Sequence, residues 1–201
     1  MLELELKAVV DDVDAVRRRV ELAGGRLLLE GRMTDRRFDA PDGAMAARDE
    51  VLRTRRIEHR DGSVEGSLDW KGPTRTLDGY KAREERSARV DAESVEVVLG
   101  RLGYVRVRDV ERDVAVYALG EATVRFERYP RMDTLVEVEG DGPAIERAIA
   151  ALGLPRERFT DARLSALAAE YERRTGRRAA LSAGDLDPSE SDTVSDDDDR
   201  G

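Results

Sequence analysis

The chain has 201 residues and carries 35 basic against 44 acidic side chains, a formal net charge of −9. It has no cysteine and one histidine, His59, which excludes disulfides, thiolate chemistry and a multi-histidine zinc site. No apolar run approaches the roughly 18 residues that a membrane-spanning helix needs.

Only three of the basic residues are lysines (Lys7, Lys71 and Lys81), leaving 32 arginines. A lysine-poor, acid-rich composition fits a GC-rich genome and a salt-accumulating cytoplasm, where carboxylates keep a surface solvated. The opening MLELELK has neither the basic region nor the apolar core of a signal peptide, so a cytoplasmic location is expected.

Residues 2–9 alternate in character and predict a strand. Asp11 or Asp12 then caps a helix through DAVRRRVELAG, which stops at Gly24-Gly25. Strands are expected near 26–31, 51–58 and 63–71, with His59 in an exposed turn. Residues 81–90 read as a strand, after which Asp91 caps ESVEVVLGRLG up to Gly103. Strands near 104–117 and 121–129 follow, then a strand over 134–139 and a helix through PAIERAIAALG that ends at Gly153. The recurring strand, helix and glycine point to a duplicated β-α unit. A last helix is expected over about 161–175.

From Ser182 onward eight acids face only Arg200, a net of −7, so residues 1–181 carry −2. The reading is therefore one domain over 1–178 and a disordered acidic tail over 179–201. Many short strands with a few helices predict an α+β fold built on an antiparallel sheet or barrel, helices outside.

Successive strand side chains point to opposite faces. Glu3, Glu5 and Lys7 share one face, with Leu2, Leu4, Leu6 and Ala8 behind them. Asp69 pairs with Lys71 in this sense, Lys81 with Arg83 and Glu85, Arg53 with Arg55, Arg125 with Glu127, and Glu137 with Glu139. A solvated sheet face explains any one strand. Recurrence on six strands, with both signs at fixed spacing, weakens that reading: if the sheet closes, the face becomes a lumen lined by both signs, although periodicity alone does not tell a lumen from an outer face. Such a lumen makes sense when a polyanion meets the cations and a metal meets the carboxylates, because unpaired charges in a confined space are costly.

These motifs resemble the CYTH superfamily, which joins class IV adenylyl cyclases, thiamine triphosphatases and inorganic triphosphatases. Glu3-x-Glu5-x-Lys7 is similar to its ExExK signature. DRRFDAP (35–41) resembles D-x-Y-F-d-x-P, VLRTRR resembles LRxR, LDWKGP resembles T-x-K-G-P, AREE resembles REE, and VEVE resembles the terminal ExE. The resemblance covers most of residues 1–175 and is nearest the class IV cyclase branch. It implies a triphosphate tunnel with Mg2+ or Mn2+ as cofactor. Two positions depart from the pattern. The family's K-x-R strand reads Arg112-x-Val114 here, and its next aspartate reads Glu127.

Arginine forks match phosphate oxygens two at a time, so Arg53, Arg55, Arg83 and Arg112, with Lys71 and Lys81, are the candidate substrate ligands. Glu3, Glu5, Glu127, Glu137 and Glu139 are the candidate metal ligands, since magnesium and manganese take oxygen donors together with substrate phosphates. Lys7, Glu3 and Glu5 are the candidate catalytic residues. Lys7 is expected to contact phosphate, or to act as a base if neighbouring cations lower its pKa. The leading reading is conversion of ATP to cyclic AMP and pyrophosphate. The alternatives are a triphosphatase and a non-catalytic polyphosphate- or nucleotide-binding module, the last favoured by Val114. Expected partners are a nucleoside triphosphate or other triphosphate and, as a homodimer, a second copy. Neither membrane nor nucleic acid is expected, given the near-neutral body and few aromatics.

Overall fold

A computed structural model describes residues 2–186, with side chains from Leu4 onward. The described strands are β1 (Leu2–Val9), β2 (Arg26–Asp39), β3 (Val51–His59), β4 (Val64–Lys71), β5 (Arg75–Leu77), β6 (Tyr80–Arg89), β7 (Val105–Leu119), β8 (Ala122–Arg128) and β9 (Leu135–Gly140). The helices are α1 (Val13–Leu22), α2 (Ala44–Ala47), α3 (Ala92–Arg101), α4 (Gly142–Leu152) and α5 (Leu164–Thr175). None is long and apolar enough to cross a membrane.

The strands pair in the order β1-β9-β8-β7-β2-β3-β4-β6, and β1 pairs with β6, so the sheet closes on itself. All pairings are antiparallel, giving an eight-stranded barrel with β5 attached to the start of β6. Closure removes the exposed edges that an open sheet presents.

Alternation then sorts the side chains by face. Leu6, Ala8, Val124, Phe126, Val136 and Val138 turn outward and are buried beneath α1 and α4. Val16 and Val20 of α1, with Ile145, Ile149 and Leu152 of α4, complete this core. The main apolar core thus lies outside the barrel wall, and the charged alternate positions are left for the inside. A smaller cluster of Val110, Tyr129, Leu135 and Leu181, with Leu164 and Leu167 of α5 packed on it, sits at one side.

Three helices start on aspartate caps, of which Asp12 and Asp91 are the predicted ones. Asp12 accepts from the Ala15 amide at 2.9 Å, Asp91 from Ser94 at 2.8 Å and Asp141 from Ala144 at 2.7 Å. Asp141 caps α4 and Pro143 sits within its first turn, so that helix begins before Pro143.

Four features differ from the sequence expectation. β2 runs on to Asp39, because the polar stretch TDRRFD is paired on both sides, with β3 and with β7. Short β5 carries no apolar pattern and was not expected. His59 ends β3, half-buried, rather than sitting in an exposed turn. Ala180 to Leu186, assigned above to the tail, pack on the body: Ala180 bridges Arg131, and Leu181 is 3% exposed. Two apolar residues and a Ser182–Asp185 capping box account for that docking. The acidic run over 187–201 lies outside the described residues.

Candidate functional site

The inward positions of all eight barrel strands meet in two adjoining chambers. One, of about 210 Å³, is lined by Glu5, Lys7, Arg53, Lys71, Lys81, Arg83, Arg112, Glu127 and Glu137 among others. The other, of about 340 Å³, adds Arg55, Asp69, Glu85 and Glu139. Glu5, Arg53, Lys71, Arg125 and Glu137 border both. Every candidate site residue with a described side chain therefore faces the lumen. Glu3 lies in β1 opposite Arg83, and its side chain is outside the described residues. The largest cavity, about 860 Å³, lies between the start of α1 and the β2, β3, β7 and β8 strands and contains none of these residues.

Asp35 organises the wall. Its Oδ2 accepts from Arg53 Nη1, Arg112 Nη2 and Arg55 Nη2, each at 3.0 Å, and its Oδ1 accepts from Arg55 Nε at 2.7 Å. Burial would raise its pKa, but Arg112, Arg53 and Arg55 hold it well below the usual carboxylate range. Arg53 also donates to Asp69 at 2.9 Å, and Ser87 fixes the other oxygen of Asp69. Within the same DRRFD stretch, Asp39 does a different job: it accepts from the amides of Ala40, Met45 and Ala46 and holds the turn into α2.

On the opposite wall Glu127 is saturated. Its Oε1 accepts from Arg112 at 2.9 Å and Arg125 at 3.0 Å, and its Oε2 from the Tyr129 hydroxyl at 2.7 Å. Glu137 takes ion pairs from Lys7 and Arg125, and Glu5 from Lys7 at 2.6 Å and from Lys81. Burial alone would push the Lys7 ammonium down, yet Glu137 and Glu5 hold it above its ordinary value. Lys7 is thus held as a cation between these two carboxylates. Lys71 shows the lowered value instead. Burial and the Arg53 charge outweigh its Glu85 partner and push it down to about 8. Arg83 is spent on the carbonyls of Gly72 and Asp49 at 2.7 and 2.8 Å, which ties strand ends together.

Two residues gained importance only from the fold, Asp35 and Arg37. Asp35 stood in a quoted motif without a role. Arg125 answers the Val114 departure. Val114 is buried directly across from Glu127, and Val116 across from Arg125. The guanidinium missing from β7 is therefore supplied one strand over, by β8, to the same carboxylate.

The implied divalent metal meets an oxygen-only donor set. Among the described residues no group of three or more such side chains forms a ready cage. Glu5 and Glu139 nonetheless face each other in register across β1 and β9, and both line the second chamber. Magnesium is commonly held by one or two carboxylates, water and substrate phosphate rather than by a full protein cage, so these residues fit it. Glu127, with both oxygens occupied, fits it least.

No family model and no curated protein matches the sequence. Solved structures do match the chain's shape. A candidate adenylate cyclase from Vibrio parahaemolyticus superposes with a TM-score of 0.70 at 18% identity, over 84% of this chain and 98% of that one. The fold is that of the CYTH tunnel. A Pyrococcus horikoshii protein matches this tunnel at a TM-score of 0.68 and 22% identity, over 84% of this chain and 98% of its own. A candidate adenylyl cyclase from Hippeastrum, described as having a dominant triphosphatase activity, matches at 0.61 and 16% identity, over 90% and 98% of the two chains. At these identities the CYTH likeness is one of architecture.

Proposed function

We propose that the chain is a metal-dependent enzyme that processes a triphosphate held inside the tunnel. One observation carries this reading: the smaller chamber is lined by ten basic side chains against five acidic ones. Arg108 and Arg163 are exposed and the other eight are buried or half-buried; such an excess of confined cations is unfavourable unless an anion completes it, and a linear phosphate chain suits a narrow lumen lined with guanidinium forks. The second chamber, with five acids against five bases, is balanced. There Glu5 and Glu139, with Glu3 and Glu137 nearby in sequence and register, would hold Mg2+ or Mn2+ together with phosphate oxygens. When bound, that cation would offset charge on the phosphate oxygens. Arg53, Arg112 and Lys71 would bind and orient the chain, and Lys7, held as a cation between Glu5 and Glu137, would add its charge to that wall.

The first reaction to test is the cyclase reading, as for the structural neighbours named candidate adenylate cyclases. The ribose 3′-oxygen forms a bond to the α-phosphorus, the bond to the β-phosphate oxygen breaks, and pyrophosphate leaves. Hydrolysis is the second reading: a water oxygen bonds to the terminal phosphorus, the bond from that phosphorus to the bridging oxygen breaks, the rest of the phosphate chain leaves, and the attacked group becomes orthophosphate. One feature favours it, since Tyr129 is the only aromatic lining either chamber, so no described side chain stacks on a purine. Incubation with ATP or tripolyphosphate and Mg2+ or Mn2+ separates the two. Cyclic AMP plus pyrophosphate supports cyclisation, and orthophosphate from tripolyphosphate supports hydrolysis. Tight binding with no turnover in either metal would leave only a binding module.

A further inference from the structure

Most cations in the tunnel are matched to carboxylates or, for Arg83, to backbone carbonyls, but two have no such partner among the described residues. Arg37 of β2 and Arg108 of β7 are directly paired across the strands and line the smaller chamber. Neither has a hydrogen-bond or ion-pair partner among the described residues, and Arg37 Nε is buried and unmatched. Arg112 Nη1, beside them, is also buried without a partner. Like charges directly opposite on adjacent strands destabilise a sheet. Burial, together with the Arg53 and Arg108 charges, pushes Arg37 down to about 10, far below an ordinary guanidinium. In the motif that DRRFDAP resembles, the position of Arg37 is a tyrosine.

A second observation points to the same place. Helix α5 begins without a side-chain cap, and its first residues, Leu164 and Ser165, line the same chamber. Their amides have no partner among the described residues. Unmatched amides at a helix start favour an anion through both hydrogen bonds and the helix dipole. Each chamber is bordered by five acids, but this one has ten bases and the other five, so the excess of cations lies at the α5 side of the tunnel.

We infer that Arg37, Arg108 and the start of α5 form a subsite for the terminal phosphoryl group of a linear phosphate chain. This rests on the triphosphate reading above and adds its direction: the free end of the chain sits against α5, and any organic group points toward Glu139. A terminal phosphoryl group carries the most charge and the most free oxygens of the chain. It is therefore the group that can satisfy two forks and two amides together.

The test is calorimetric binding of ATP and of its γ-methyl ester, without added divalent cation so that nothing turns over. The wild-type chain is expected to bind ATP at least tenfold more tightly than the ester. In the double variant Arg37→Gln/Arg108→Gln that preference should fall below threefold, chiefly because ATP binding weakens. Equal weakening of both ligands, or an unchanged preference, overturns the subsite. A wild-type chain that binds neither ligand overturns the triphosphate reading itself, a distinguishable result. Because neither arginine has a protein partner, the double variant should melt at or above the wild-type temperature in ligand-free buffer. A large drop would show that the pair supports the fold, and would overturn the premise.

Discussion

The carboxylate of Asp35 accepts from three guanidinium groups while only 3% of the residue is exposed. Replacing it with asparagine removes the charge and leaves Arg53, Arg55 and Arg112 repelling one another in a confined space. Breaking a buried ion cluster by deleting one partner costs about 3–5 kcal/mol. Asp35→Asn should lose that much in denaturant unfolding, and a loss under 1 kcal/mol would mean the arginines find other partners. Lys71 makes a different prediction. With its pKa pushed down to about 8, the free tunnel gives up this proton just above neutrality. Between there and the ordinary value of 10.5, the unfolded chain holds a proton that the folded chain has released, so the Lys71 contribution to stability rises with pH. Triphosphate binding runs the other way, because the anion prefers the charged ammonium. Affinity should fall as pH climbs through about 8, with proton uptake on binding visible in buffers of different ionisation enthalpy. Lys71→Arg, which does not titrate in this range, should flatten the profile. A profile that stays steep in Lys71→Arg would assign the titration to another group.

At the level of strands, β7 and β8 show how one function moves between neighbours. Val114 stands where a guanidinium was expected, and Arg125 on β8 reaches Glu127 and Glu137 instead. Arg125→Thr should weaken tripolyphosphate binding by about 1.5–3 kcal/mol, the value of a hydrogen bond to a charged group. Adding Val114→Arg to that variant places a guanidinium back opposite Glu127 and should restore at least half of the loss. No recovery in titration calorimetry would mean that position, not charge, is what matters. The strand alternation that carried this argument was legible in the sequence, as were the caps at Asp12 and Asp91, because both depend on residues close together in the chain. The far half of β2 was not legible: TDRRFD looks like a loop until β3 and β7 pair with it. The same holds for Asp35, whose partners lie 18, 20 and 77 residues away. The docked segment at Ala180 and Leu181 was hidden by the acids that follow it, which dominated the composition there.

For the molecule as a whole, closure of the sheet turns six modest charge patterns into one polar tunnel, and the core that supports it sits on the outer wall. The smaller chamber, with ten bases against five acids, therefore has an excess of positive charge that an anion would offset. A ligand that binds only the folded chain stabilises it by about 2.7 kcal/mol at a hundredfold excess over its dissociation constant. For a domain of this size each kcal/mol moves the melting temperature by about 2–4 °C, so tripolyphosphate at that excess should raise it by about 5–10 °C. Orthophosphate at equal ionic strength should do much less, because single ions cannot bridge the lumen. High salt offers a sharper contrast. Screening falls to about 3 Å near 1 M, which would abolish attraction to an open basic surface. Contacts inside the tunnel are made at hydrogen-bond distance and exclude bulk ions, so most of the tripolyphosphate shift should survive there. A shift that vanishes at 1 M salt, or that orthophosphate reproduces in full, would place the anion on the outer surface and not in the lumen.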